Sequence, residues 1–252
     1  MLGFLLLMLC LPWQTLPAKP RIAAASSLQF ALNELLAEFD AGEKRFATPV
    51  YGASGNLFRQ IMQGAPYQLF LSADPKLTEK LVRAGRATSE PVAFGEGRLA
   101  LYKSANGTVA IDDKAGGIRQ AIERGQVFRF AIANPRHAPY GVAALEALQT
   151  LQIDQALQSR LVFGEKVSQA AMMVRSGAAQ VGIISLSLAL SPALAKAGEH
   201  VVLPSELHQP VLLQALAVGE VDQVVGDFLV FLNSARASEI LSSYGMQKHA
   251  TH

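Results

Sequence analysis

"YGASGNLFRQIMQGAPYQLFLSAD", residues 51–74, carries a strand, a tight turn, a helix and a second strand in one stretch. The strand "ATPVYGAS" (47–54) hands over to the amphipathic segment "NLFRQIMQG", which Gly64 stops, and "YQLFLSAD" (67–74) follows as a buried strand. Strand, helix and strand in that order predict a βαβ unit and a parallel pairing. The turn itself nearly spells a nucleophile elbow. Gly52, Ala53, Ser54 and Gly55 fit G-x-S-x-G, but Asn56 stands where the last glycine belongs. Ser54 is therefore either a nucleophile in need of a base or a hydrogen-bond donor at a helix start.

The same alternation extends in both directions. Downstream, "DPKLTEKLVRAG" (74–85) predicts a helix with Asp74 as N-cap, Pro75 at the first helical position and Gly85 at its end. Upstream, "RIAAAS" (21–26) reads as a first strand, and "SLQFALNELLAEFDAG" (27–42) as a helix. Leu28, Leu32, Leu35, Leu36 and Phe39 fall on one face of that helix, and Gly42 is placed to end it. In "FGEGRLALYKSANG" (94–107) the glycines precede a strand, which marks a crossover between lobes. That context also dismisses the match of Gly95, Gly97 and Ala100 to a dinucleotide fingerprint, which must follow a strand and open a helix. A second lobe runs through "VFRFAIANP", "YGVAALEALQTL", "VSQAAMMVRSG" and "QVGIIS". A return crossover is expected around "VVLPSELHQP" (201–210). The strand "VLLQALAV" and the helices in "VDQVVGDFLVFLNS" and "ASEILSSYG" then rejoin the first lobe. The expected fold class is α/β in two lobes, each a mostly parallel sheet flanked by helices. Lobe I is 20–96 and 205–252, lobe II is 97–204, and a ligand cleft lies between them.

With 252 residues, 50% hydrophobic and 17% charged, the chain can bury a large core. Its net charge of +2 is nearly balanced, and no basic cluster stands beside exposed aromatics, so the footprint of a nucleic-acid binder is missing. Any anionic ligand has to be held by local geometry. The segment from Leu2 to Trp13 is apolar and Ala18 is small, which predicts a secretory signal peptide over 1–18 and a periplasmic mature protein. The single cysteine, Cys10, lies inside that leader. Met8 and Leu9 are bulky where a lipidation site prefers small residues, so removal with the leader is expected over lipid anchoring. The mature chain then has no disulfide, thiol nucleophile or cysteine metal site.

Three further junctions share the form of the Ser54 turn: Ser26 and Ser27 after the first strand, Tyr140 and Gly141 after "ANPRHAP", and Lys166, Val167 and Ser168 after "LVFGE". Each helix start presents unpaired N–H groups and a positive dipole end, and a nearby hydroxyl adds a donor. Two such turns in each lobe would enclose an anion. Each hydrogen bond to a charged group is worth roughly 1.5–3 kcal/mol net, so about half a dozen neutral donors suffice. A cage made only of donors suits an oxyanion without a proton, whereas hydrogen phosphate calls for an acceptor. No turn carries a carboxylate at its tip, although Glu165 is near one. Taken singly, each turn is equally a plain helix cap. His137 is a candidate base but reads as a solvated loop residue; Arg59 and Arg136 read as solvent-facing, Met172 and Met173 as core, and Asp112 with Asp113 as a cap pair. No Ser/His/Asp order or metal spacing is present.

"AAASSLQFALNEL", "YGASGNLFRQIMQGAPYQLFLSAD", "IANPRHAPYGVAALEAL", "GEKVSQAAMMVRSGAAQVGIIS" and "ASEILSSYGM" occur in the order and spacing of one known family. The chain resembles the periplasmic molybdate-binding proteins of bacterial ABC importers over essentially all of its mature length. That resemblance implies a type II periplasmic-binding-protein fold with molybdate or tungstate in the cleft, no catalytic residues and no cofactor. By motif position, Ser27 and Ser54 would each give a hydroxyl and an amide, and Tyr140 and Val167 a backbone amide. Ser26 is a weaker candidate beside Ser27. Where some members carry a binding tyrosine after "GIV", this chain has Ser185 after "GII", a shorter reach. Molybdenum would be held only as the oxyanion, by hydrogen bonds to Ser27, Ser54, Tyr140 and Val167. The implied partner is an inner-membrane permease, with the protein itself a monomer that takes no nucleic acid. The rival readings are sulfate or another tetrahedral oxyanion, and a serine hydrolase using Ser54.

Overall fold

The computed structural model describes residues 19–40, 46–219 and 221–248. The expected leader with Cys10, and the helix end expected at Gly42, lie outside the described residues. The chain runs β1 (Arg21–Ala25), a 3-10 turn (Ser26–Leu28) leading into α1 (Gln29–Phe39), β2 (Thr48–Gly52), α2 (Ser54–Met62), β3 (Leu69–Ser72), α3 (Pro75–Arg83) and β4 (Val92–Gly97). It then enters a second sheet through β5 (Leu99–Ser104), α4 (Gly116–Glu123), β6 (Phe130–Ala133), α5 (Pro139–Thr150), α6 (Asp154–Leu157), β7 (Leu161–Gly164), α7 (Val167–Arg175), β8 (Val181–Ser185), α8 (Leu186–Ala189), α9 (Pro192–Ala195) and β9 (Gly198–Val202). It returns in β10 (Val211–Ala217) and ends with α10 (Gln223–Phe231) and α11 (Ala235–Ser243).

Two five-stranded sheets result, in the orders β2-β1-β3-β10-β4 and β7-β6-β8-β5-β9. β1 is parallel to both its neighbours, and β10 is antiparallel to β3 and β4. In the second sheet β6 is parallel to its neighbours, and β5 is antiparallel to β8 and β9. The odd strand in each sheet is the one that has just arrived from the other lobe. Only Arg98 separates β4 from β5. Its guanidinium donates to Leu203 O at 3.1 Å, and Leu203 N donates to Leu99 O at 3.0 Å, so the two crossovers are tied side by side.

Central strands covered on both faces lose the apolar/polar alternation, and accordingly Ile22–Ala25 and Leu69–Ser72 are buried throughout. Gly64 (φ +87°) and Gly85 (φ +64°) end α2 and α3 in the left-handed conformation that side chains disfavour. Asp74 caps α3 by accepting from Lys76 N at 2.9 Å. α2 starts at Ser54, two residues before the amphipathic segment, because Ala53 O already accepts from Leu57 N at 3.0 Å. Phe39, Phe46 and Phe228 meet edge-on or tilted with ring centroids 5.1–5.2 Å apart, which fixes α10 against α1. Met173 packs against the core, but Met172 is 48% exposed, correcting its expected burial. Among the described residues no helix is long and apolar enough to cross a membrane.

Of the expected Asp112/Asp113 cap pair, Asp112 alone caps. Its carboxylate accepts from Lys114 N, Gly116 N and Gly117 N at 3.0, 2.9 and 2.7 Å, while Asp113 is exposed. These amides, Gly117 first, hold the Asp112 carboxyl below its ordinary range. Its stabilisation is thus present above the ordinary carboxylate pKa and fades as pH falls through the lowered one. Asp112→Ala is expected to cost about 1 kcal/mol and lower the thermal midpoint by about 2–4 °C at neutral pH. Calorimetric scans at neutral and acid pH check this, the gap from wild type closing in acid.

Candidate functional site

The strands β1, β2, β6 and β7 each deliver their C-terminal end to a helix start, the edge at which open α/β sheets hold ligands. Those four edges meet across the interface of the lobes and border a cavity of ≈ 10 Å³. That is about the room of one water-sized sphere, far below the about 300–1,000 Å³ of pockets for drug-sized ligands. Ser26, Ser27 and Ser54 border it from the first lobe, and Tyr140 and Val167 from the second. All five are at most 3% exposed, so the space is shielded from bulk water. No charged side chain lines it.

The polar groups at its wall include several free donors. The amides of Ser27, Ser54, Tyr140 and Val167 sit in the first turns of their helices, where no intrahelical acceptor exists, and they donate to no other acceptor among the described residues. Ser54 Oγ accepts from Ala73 N at 3.1 Å, which leaves its own hydrogen to give. The hydroxyls of Ser27 and Tyr140 are buried and have no partner among the described residues other than one another. Burial pushes the Tyr140 phenol far above its ordinary pKa, with the neighbouring Ser27 hydroxyl acting the other way, so the phenol stays a neutral donor.

Hydrogen bonds between the lobes hold the cavity shut. Gly55 N donates to His137 O at 2.9 Å, Lys166 Nζ to Tyr51 O at 2.9 Å, and Ser187 Oγ to Ser27 O at 2.7 Å. Ser26 Oγ accepts from Ser168 N at the long distance of 3.5 Å. Gly55 is required by this closeness, since a Cβ there would lie 2.8 Å from His137 O. Removing the Lys166 bond should open the cleft more often. Lys166→Met is expected to raise the ligand dissociation rate several-fold with little change in association, as stopped-flow fluorescence would report.

A shielded cavity bordered by neutral donors, with no carboxylate or cation among its described lining residues, offers the chemistry that a small anion requires. Residues 20–247 match the family of bacterial extracellular solute-binding proteins. The chain belongs to that family. It is 32% identical over 226 residues to the molybdate-binding protein ModA of Rhodobacter capsulatus, covering 88% of this chain and 86% of that one. It is 30% identical to ModA of Escherichia coli (strain K12) over 90% of this chain and 88% of that one. Among solved structures, the periplasmic molybdate-binding protein of Azotobacter vinelandii superposes with a TM-score of 0.82 at 27% identity, covering 92% of this chain and 100% of that one.

A solute-binding protein needs no nucleophile, and Ser54 lacks the partner one requires. Its hydroxyl meets Ala73 N, while His137, the candidate base, places Nε2 3.0 Å from a Glu165 carboxylate oxygen and 3.0 Å from Glu165 O. The His137 side chain is only 10% accessible, which corrects its expected solvation; the turn from β6 to α5 folds it against Glu165. Arg59 and Arg136 are exposed at the outer mouth of the seam. Ser185 ends β8; its Oγ accepts from Leu188 N at 3.4 Å, capping α8, and its own hydrogen goes to Ser187 Oγ, 3.1 Å away, whose hydrogen is already given to Ser27 O. It does not line the cavity. Among the described residues no group of three or more His, Cys, Asp or Glu is arranged to hold a metal ion. Sequence reasoning passed over Gly55 as a seam residue, Lys166 as a bridge and Ser187 as an anchor for Ser27, because each acts through a partner in the other lobe, distant in the chain.

Proposed function

We propose that this protein captures molybdate, and also tungstate, as the free oxyanion in the periplasm and delivers it as a monomer to the permease of an ABC importer. One observation carries the reading: unpaired amides and buried hydroxyls of both lobes border one shielded cavity with no charged side chain among its described lining residues. Support also comes from relatives named for molybdate binding that match nearly the whole chain. A buried dianion forfeits its hydration, and each charged hydrogen bond returns roughly 1.5–3 kcal/mol, so affinity depends on all donors arriving together. Only the closed form brings donors from both lobes onto the guest, and differential affinity for that form drives closure. The closed form is then what the permease reads.

Titration calorimetry with molybdate, tungstate, sulfate and phosphate tests this. Molybdate and tungstate are expected to bind at micromolar ligand or below. Phosphate binds far more weakly, because its proton finds no acceptor, and sulfate is separated by size alone. Absence of molybdate and tungstate binding would refute the proposal. Ser54→Ala is expected to weaken molybdate binding about ten- to a hundredfold, the worth of one hydrogen bond to a charged acceptor, with the fold intact by circular dichroism.

A further inference from the structure

The hydroxyls of Ser27 and Tyr140 are buried, at 1% and 3% exposure, and belong to residues that border the same cavity. They come from opposite lobes, they neighbour one another, and neither finds any other partner among the described residues. A buried hydroxyl pair whose bonding is left incomplete marks a site that a guest completes. The phenol is fixed in position. A Cβ on Gly97, the last residue of β4, would overlap its oxygen, so the glycine at the crossover leaves the space that the phenol occupies. The Ser27 backbone is anchored from the second lobe through Ser187.

We propose that Tyr140 is a positioning residue whose phenol O–H donates to Ser27 Oγ and thereby turns the Ser27 hydroxyl hydrogen onto the bound oxyanion. This rests on the anion-binding reading above and adds a side-chain role to a residue considered there for its backbone amide. The arrangement is a relay: phenol to serine oxygen, serine hydrogen to anion, each bond polarising the next. Because the phenol belongs to the second lobe and the serine to the first, the relay is complete only when the lobes are closed, so it couples capture to closure. A phenol held neutral by burial donates without ever repelling a dianion.

Wild type, Tyr140→Phe, Ser27→Ala and the double variant are titrated with sodium molybdate by calorimetry, and the thermal midpoint of each is measured without molybdate. Tyr140→Phe is expected to weaken binding about tenfold, Ser27→Ala more, and the double variant no more than Ser27→Ala alone. Without molybdate, Tyr140→Phe should melt at or above the wild-type midpoint, since the relay it removes is completed only in the closed, loaded form. Wild-type affinity in Tyr140→Phe, an additive loss in the double variant, or a lowered midpoint that marks a merely structural hydroxyl would each overturn the relay. A wild type that ignores molybdate would instead refute the functional reading, and the relay with it.

Discussion

Ser54→Asp is expected to lower molybdate affinity at least about a thousandfold while the protein folds normally. Two unit charges 4 Å apart cost about 4 kcal/mol at an effective dielectric of 20, and a dianion doubles that. The substitution is tolerated by the fold because Ser54 is the first residue of α2, where a carboxylate is favoured by the helix dipole and finds Ala73 N to accept from. The new carboxylate thus occupies the donors meant for the guest and repels what remains. Ser54→Asn, neutral and still a donor, should lose far less. Calorimetry with both variants, alongside thermal midpoints, separates charge from shape; affinity within tenfold of wild type in Ser54→Asp would contradict the neutral-cage account.

Gly55→Ala should impair closure without harming either lobe. The added Cβ would stand 2.8 Å from His137 O and 3.1 Å from His137 Cα and Cβ. That turn has little room to yield, since His137 N and Ala138 N both donate to Asn134 O and the imidazole is held by Glu165. With the lobes apart His137 no longer limits this position, and in the first turn of α2 alanine is a better helix former than glycine. Overpacking of this kind costs typically 1–3 kcal/mol, so affinity should drop about ten- to a hundredfold. Small-angle scattering of Gly55→Ala at saturating molybdate should show a larger radius of gyration than wild type. A fully closed, wild-type-affinity variant would mean that the Gly55–His137 contact does not limit closure.

Helix and strand order was legible because the signals are local. Asp74-Pro75 opens α3 and Gly64 and Gly85 end α2 and α3 through chemistry confined to a few residues, and the unbroken apolar runs at Ile22–Ala25 and Leu69–Leu71 mark central strands. The alternation of such runs with amphipathic segments was enough to give the α/β class. What the chain does not spell out is the state of each hydroxyl. Ser54 and Ser185 are the same residue type at the same kind of strand end, yet one borders the cavity with a hydrogen to spare and the other is taken up by α8. Met172 shows the same limit: apolar spacing puts it on a helix but not on the buried face. His137 reads as a loop histidine until the fold brings Glu165 beside it, 28 residues on. Contacts between lobes, which set the cavity's size and dryness, depend on pairs such as Ser27 with Ser187, 160 residues apart.

Neutral donors from both lobes are expected to hold one doubly charged oxyanion in the cavity between them. A crystal structure of the protein grown with molybdate, with an anomalous difference map recorded at the molybdenum absorption edge, decides the matter. The expected result is a single strong peak inside the cavity, with oxygens in hydrogen-bond reach of Ser27, Ser54, Tyr140 and Val167 and no cation beside them. A peak elsewhere on the surface, or a cavity left without molybdenum at saturating ligand, would refute it.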